Sequence, residues 1–215
     1  MIKVAVWGTG MMGQGLLGYI LDRPNDVELV GAIVTNPAKE GKPVGELLGR
    51  TCDVCMTTDA AAVLAKQPDV VCICTQSNLD EIAEQVETVV RAGSNILCIA
   101  EKLAYPWASD PDWAERFEEL AMEHDVSILG TGINPGFILD ALIVAWTSIC
   151  LRIDRIEAQR VNDLSPFGPT VMASQGVGTT VAEFERGVAN GTIVGHIGFP
   201  ESIHLIADAI GSTLA

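Results

Sequence analysis

"IKVAVWGTGMMGQGLLGYILDR", residues 2–23, decides the fold. Ile2–Trp7 is a short apolar run ending at a glycine, which reads as a buried strand. From Met11 onward the apolar residues recur at helical spacing. Between the two lies G-T-G-M-M-G, with glycines at 8, 10 and 13. That spacing is a weak signal alone and a strong one between a strand and a helix. The glycines allow a tight turn, close approach of a pyrophosphate and helix–strand packing, and the helix N-terminus turns free N–H groups toward the anion. The alternative is a Gly-rich turn with no ligand; the strand–turn–helix context favours the dinucleotide. Gly8, Thr9, Gly10, Met11, Met12 and Gly13 are therefore candidate cofactor-binding residues.

Outward from this unit the period keeps switching. "VELVGAIVT" (27–35), "DVCMTT" (53–58), "DVVCICTQ" (69–76), "NILCIAEK" (95–102) and "VSILGTG" (126–132) read as strands. "DAAAVLAKQ" (59–67), "SNLDEIAEQVETVVRAG" (77–93) and "DPDWAERFEELAMEHD" (110–125) read as helices, with Ser77 or Asn78 and then Asp110 as caps, and Pro111 at a first helical position. Alternating strands and helices predict parallel pairing with right-handed crossovers, a doubly wound α/β Rossmann sheet. Ligands in such sheets lie outside the carboxyl ends of the strands.

The pattern changes near residue 135. A helix is expected from Pro135 to Ser148, then a long strand with one wet face in "RIDRIEAQRVND" (152–163), then helices in "TVAEFERGVANG" and "PESIHLIADAIG". The expected domains are 1–135, dinucleotide-binding, and 136–215, the start of a substrate-binding and dimerisation domain. One strand cannot make a sheet. The second domain thus reads as an incomplete, truncated α+β unit, and a homodimer through it would supply strands.

Composition excludes several classes. Hydrophobic residues are 48% and charged residues 19%, a globular profile. The net charge of -15 argues against nucleic acid as a partner, since phosphate binding needs clustered Lys and Arg. No apolar run is long enough to span a membrane, and no secretory signal precedes the first strand, so a cytoplasmic protein is expected. Of six cysteines, Cys72, Cys74 and Cys98 sit in apolar runs as core residues. Cys52 and Cys55 form a lone CxxC, a poor zinc signal, and no metal is expected.

The strand ends carry the remaining candidates. An NAD site usually ends its second strand on an acid that binds the ribose hydroxyls. Here Val34, Thr35 and Asn36 stand there, with Lys39 and Lys42 close behind, a set that suits a 2'-phosphate. NADP is expected, with NAD accepted too; the alternative is that both lysines are solvated loop charges. Thr75 and Gln76 end the fourth strand, on the nicotinamide side or simply as the start of the next helix cap. Glu101 and Lys102 follow the fifth strand. A carboxylate there can hold an amine or take a proton, or the two residues form a surface ion pair of little consequence. If the strand continues, Lys102 points away from Glu101. Asn134 and Gly136 follow the sixth strand, where backbone N–H groups can meet an anion or carboxylate, and Asn134 is a candidate for the cofactor as well as for the substrate. His124 is expected exposed at a helix end and His204 packed in an apolar helix. His196, in a glycine-flanked loop, is the histidine open to function.

Taken together, the N-terminal fingerprint, "AEKLAYPW", "GTGINPGFILDAL", "RVNDLSPFGPTVMASQGVG" and "GHIGFPESI" resemble the 2,4-diaminopentanoate dehydrogenase family, which includes native amine dehydrogenases and is related to dihydrodipicolinate reductase. The resemblance spans the chain and is most specific from Gly130 to Ile203. It implies an NAD(P)-dependent oxidative deamination of an amine or amino-acid substrate, with Glu101 as the acid–base group and with Asn134, Gly136, Phe167 and His196 on the substrate side. The sequence departs from the family at Lys102, where a second acid is common, at the end of the second strand, where Asp is common, and in length, since family members continue. A dihydrodipicolinate reductase ranks second, because "RVNDLSPFGP" does not resemble the His-rich, Lys-bearing segment of those enzymes. A non-catalytic dinucleotide-binding module is the rival from another class.

Overall fold

The computed structural model describes residues 1–166 and 168–214. Strands β1 (Ile2–Trp7), β2 (Val27–Ile33), β3 (Met56–Thr57), β4 (Val70–Ile73), β5 (Asn95–Cys98) and β6 (Ile128–Gly130) form one sheet, ordered β3-β2-β1-β4-β5-β6. Every strand pair in it is parallel. Parallel strands need crossovers, and these are helices α1 (Met11–Leu21), α2 (Val44–Leu48), α3 (Ala60–Leu64), α4 (Leu79–Arg91) and α5 (Pro111–Glu123).

The helices cover both faces. On one, Ile82, Val86, Val89 and Phe117 of α4 and α5 pack on Val71, Ile73, Ile96 and Cys98. On the other, Leu17 and Ile20 of α1 and Val44 of α2 pack on Val4, Val6, Ala32 and Cys72. The central strands are therefore buried on both sides, which is why they read as continuous apolar runs. The strand order reverses between β1 and β4, so the loops after these strands diverge and leave a crevice.

After β6 come α6 (Ala141–Thr147), α7 (Pro169–Ser174), α8 (Val181–Ala189) and α9 (Phe199–Ala209). The helix expected from Pro135 begins only at Ala141, because the Asp140 side chain caps Ala141 N–H and so fixes the start there. Gly136, at φ +119, belongs to the turn before it. The strand expected over 152–163 does not form; these residues have no regular structure. A strand needs a neighbour to take its backbone N–H and C=O groups, and among the described residues this part of the chain offers none. Its charges pair locally instead, Arg152 with Asp154 and Arg155 with Glu157, at exposed positions where ion pairs contribute little. No helix of the described residues is long and apolar enough to cross a membrane.

Candidate functional site

A cleft of about 500 Å³ opens at the carboxyl ends of β1, β2 and β4. Gly8–Gly10, Val34–Asn36, Lys39 and Cys74–Gln76 line it, together with Glu81 and Gln85 of α4. The three fingerprint glycines have three different physical reasons. Gly8 has φ +104, and a Cβ there would lie 2.5 Å from the carbonyl oxygen of Cys74. A Cβ on Gly13 would lie 1.9 Å from the carbonyl oxygen of Gly8, so α1 can pack against its own entry turn only without one. At Gly10 a Cβ would meet nothing within 4 Å, so packing makes no demand there and the open side faces the cleft. Met11 and Met12 start α1 with exposed side chains, and what they can offer an anion is backbone N–H. This is a cradle shaped for a pyrophosphate, and a nicotinamide dinucleotide fits it.

The far wall of the cleft comes from β2. Thr35 and Asn36 are exposed, and Asn36 is partly engaged, its Oδ1 accepting from Ala38 N–H at 3.0 Å. Lys39 reaches back across the cleft. Its Nζ lies 2.9 Å from both the carbonyl oxygen and the hydroxyl oxygen of Thr9. Lys42 is exposed and does not line the cleft. On the β4 side the hydroxyl of Thr75 donates to Gln85 Oε1 at 2.7 Å, and Gln76 stays exposed.

Glu101 is not on a strand. β5 ends at Cys98, and Glu101–Ala104 form a single 3-10 turn. Two contacts seat this turn. Lys102 N–H reaches Ser77 O at 3.4 Å, which ties it to the β4–α4 loop. Gly130 of β6 lies so close beneath it that a Cβ would come within 2.0 Å of Leu103 O. Because the backbone turns here, strand alternation does not apply to Lys102. Its ammonium pairs with Asp110, the residue that starts α5, at 3.0 Å, in place of the alternative surface pair with Glu101.

Around Glu101 the structure gathers residues distant in sequence. Asn134 Nδ2 lies 2.8 Å from His196 Nε2. Gly198, at φ +103, brings the loop after His196 so near that a Cβ there would be 2.6 Å from the Pro135 ring and 3.2 Å from Glu101 Cβ. The His196 ring also meets Phe199 edge-on, with centroids 4.8 Å apart. Burial holds the His196 pKa below the usual histidine value, the positive Arg160 pushes the same way, and the negative charge of Glu101 opposes them. Arg160 is thus a neighbour of this corner that the sequence did not single out, although it opens the stretch RVNDLSPFGP; it lay in the expected strand, and alternation gave its side chain no role. Gly136 behaves differently from expectation: its N–H donates to Asp140 Oδ2 at 2.6 Å and is not free for a substrate anion. Phe167 lies outside the described residues.

The other histidines reverse their expected placement. His124 is half-buried at the C-cap of α5, with Nε2 buried and unpartnered among the described residues, while His204 is exposed on α9. No group of three or more His, Cys, Asp or Glu among the described residues is placed to hold a metal ion. Cys52 and Cys55 are free thiols.

Comparison with known proteins gives the following. Residues 2–131 match the oxidoreductase family with an NAD-binding Rossmann fold, and residues 137–215 match the C-terminal domain of 2,4-diaminopentanoate dehydrogenase. A 2,4-diaminopentanoate dehydrogenase of Acetoanaerobium sticklandii is 40% identical over 222 residues, covering 100% of this chain and 61% of that protein. An amine dehydrogenase of Streptomyces virginiae is 30% identical over 172 residues, covering 78% of this chain and 48% of the relative. Among solved structures, the amine dehydrogenase from Mycobacterium smegmatis superposes with a TM-score of 0.78 at 31% identity, over 96% of this chain and 61% of that one. The chain thus spans less than two thirds of the length of each of these relatives.

Proposed function

The chain belongs to the oxidoreductase family with an NAD-binding Rossmann fold, and on that premise we propose that it serves the NAD(P)-dependent oxidative deamination of an amine, with 2,4-diaminopentanoate as substrate and 2-amino-4-oxopentanoate as product. The observation that carries this reading is that Asn134 and His196 meet in the corner bordered by Glu101, whose charge reaches His196 and whose Cβ would lie 3.2 Å from a Cβ on Gly198. The likeness to 2,4-diaminopentanoate dehydrogenase, strongest in identity among the relatives described above, supports the substrate.

A nicotinamide dinucleotide bound in the cleft lined by Gly8–Gly10, Val34–Asn36, Lys39 and Cys74–Gln76 would supply the acceptor for the hydride of the amine-bearing carbon. Glu101 anchors the substrate ammonium by charge and takes the proton it must lose before hydride leaves. Glu101 passes that proton to solvent; once the carbon is doubly bonded to nitrogen, Glu101 takes a proton from the water that adds to it and gives it to the departing nitrogen. Collapse releases ammonia and leaves a ketone. The sum is one protonated amine, one oxidised cofactor and one water in; one ketone, one ammonium, one reduced cofactor and one proton out. Asn134 and His196 orient the substrate by hydrogen bonds. Arg160, whose charge reaches His196, offers a guanidinium for the carboxylate of an amino-acid substrate.

NADP is the preferred cofactor in this reading, with NAD accepted. Support comes from Lys39 in the cleft wall and from the lack of an acid at Val34, Thr35 and Asn36. Residues 1–135 hold the dinucleotide and residues 136–215 begin the substrate side. The protein is taken as a cytoplasmic homodimer, supported by exposed apolar positions at Leu151 and Val161 in a segment that lacks strand partners; light scattering tests the dimer.

The test of function is a reduced-cofactor absorbance assay with 2,4-diaminopentanoate and NADP+, then NAD+, at alkaline pH, beside Glu101→Ala. Turnover lost in the variant with cofactor binding intact is the expected result. Cofactor binding without turnover in the unmodified chain would favour a non-catalytic dinucleotide-binding module.

A further inference from the structure

Asp140 is fully buried, at 0% exposure, yet it does not touch Glu101, His196 or the dinucleotide cleft. A buried carboxylate is costly unless its oxygens are satisfied. Here Oδ1 accepts from Ala141 N–H at 2.6 Å, while Oδ2 accepts from Gly136 N–H at 2.6 Å and from the Ser202 hydroxyl at 2.9 Å. The first bond caps the first N–H of α6. The other two are not needed to start α6. They run to the two segments that bear the polar residues of the candidate site.

Gly136 follows Asn134 by two residues, with Pro135 between them. Ser202 lies in the first turns of α9, and its own N–H bonds Gly198 O at 3.1 Å, next to the loop that carries His196. One carboxylate therefore fixes the Asn134 turn and the start of α9 at once. Across the gap between them, the Asn134 amide and the His196 ring meet at 2.8 Å. A second tie, from the Ser109 hydroxyl to the buried Glu201, holds the same turn of α9 to the segment just after Glu101–Ala104.

We propose that Asp140 is a positioning residue for the substrate side of the site: by bonding Gly136 and Ser202 together it sets the contact between Asn134 and His196 beside Glu101. The role rests on the proposed amine chemistry only for its effect on turnover. The geometry it predicts can be read without any substrate.

The experiment compares the unmodified chain with Asp140→Asn and Ser202→Ala. Asp140→Asn keeps the shape but leaves a single acceptor oxygen, so its NH2 group must face either Ala141 N–H or both Gly136 N–H and the Ser202 hydroxyl, and the side chain can no longer accept all three bonds. Ser202→Ala removes one arm and leaves the cap, so it keeps the test open should Asp140→Asn fail to fold. The first readout is the Asn134 side-chain amide by 15N NMR. Asn134 is expected to carry a displaced, exchange-protected pair of signals in the unmodified chain and to move toward the exposed-amide position in both variants. Unmoved signals in every folded variant would overturn the proposal, whatever the enzyme's substrate. The second readout is kinetics with 2,4-diaminopentanoate. A fall of about tenfold in kcat/KM for the amine in Asp140→Asn, with the dissociation constant for NADP+ unchanged, is expected. A lower Tm with kcat and KM per folded molecule unchanged would mean that Asp140 only stabilises the fold. If the unmodified chain lacks turnover while the NMR result holds, the amine reading fails and the positioning role stands.

Discussion

Lys39 closes on Thr9 from thirty residues away, its ammonium 2.9 Å from both the carbonyl and the hydroxyl oxygen of a residue that is itself buried at 4% exposure. The contact joins the segment after β2 to the glycine loop and puts a positive charge in the wall of the cleft, where in the proposed reading it meets a 2'-phosphate. A charge-assisted hydrogen bond contributes about 1.5–3 kcal/mol, and about 1.4 kcal/mol is a factor of ten in affinity. Lys39→Ala should therefore raise the dissociation constant for NADP+ about tenfold or more and that for NAD+ much less, as measured by cofactor fluorescence. Equal losses for both cofactors would mean that Lys39 shapes the glycine loop and does not read the 2'-phosphate.

The glycine loop can be dissected by alanine. A Cβ at position 13 runs into the Gly8 backbone, which has no rotamer to yield. Overpacking of that kind costs about 1–3 kcal/mol or more, and in a chain of this size about 1 kcal/mol moves Tm by roughly 2–4 °C. Gly13→Ala should melt several degrees lower with or without cofactor. Gly10 has φ -73 and open space beside it, so Gly10→Ala should keep its Tm and lose cofactor affinity. Thermal melts with and without NADP+ separate the two outcomes.

His196 should leave a mark on acid stability. Its folded pKa lies below the ordinary value, chiefly through burial and secondarily through Arg160, so the unfolded chain binds the proton more readily. The stability tied to the neutral ring is present above about pH 6.5, the unfolded histidine value, and is lost as pH falls through the folded pKa. His196→Gln should flatten this loss, seen as a smaller drop in the urea midpoint between about pH 7 and pH 5. Parallel profiles for the two proteins would show that His196 is not buried as described.

The thiols divide by environment. Burial pushes Cys72 to about 12, Cys74 to about 11 and Cys98 to about 12, so none is a thiolate near neutral pH. Cys55 and Cys150 are exposed and Cys52 is half-buried. Iodoacetamide at pH 8 followed by peptide mass spectrometry should label Cys55 and Cys150 first and leave Cys72, Cys74 and Cys98 unlabelled until the chain unfolds. Early labelling of Cys98 would show that the turn bearing Glu101, just beyond it, opens in solution.

Much of this protein is legible in its sequence because the relevant forces act locally. The parallel sheet follows from apolar runs alternating with helical periods, and the cofactor loop from glycines whose demands are set by residues within one strand–turn–helix unit. Asp59 and Pro111 mark the starts of α3 and α5 where the pattern puts them. Glu101 could be singled out because a charge follows an apolar strand on the edge where ligands bind. The strand expected over 152–163 was not to be had from alternation alone, since a strand's backbone is satisfied only by a neighbour and no local signal says whether one exists. The same limit hid the partner of Lys102, which depends on where α5 starts in space, and the burial of His124 against the exposure of His204.

What residues 2–23 and the alternation of strands and helices after them determined was a nicotinamide-dinucleotide fold and the edge of the sheet where chemistry belongs. Only the tertiary structure decided that Asn134 meets His196 across 62 positions of chain, that Gly198 packs between Pro135 and Glu101, and that Asp140 ties the turn to α9. Periodicity and capping are contests among near neighbours, settled by a residue and the few beside it. A site is a coincidence of distant segments, and it is fixed by which buried polar groups can satisfy one another once the core has closed.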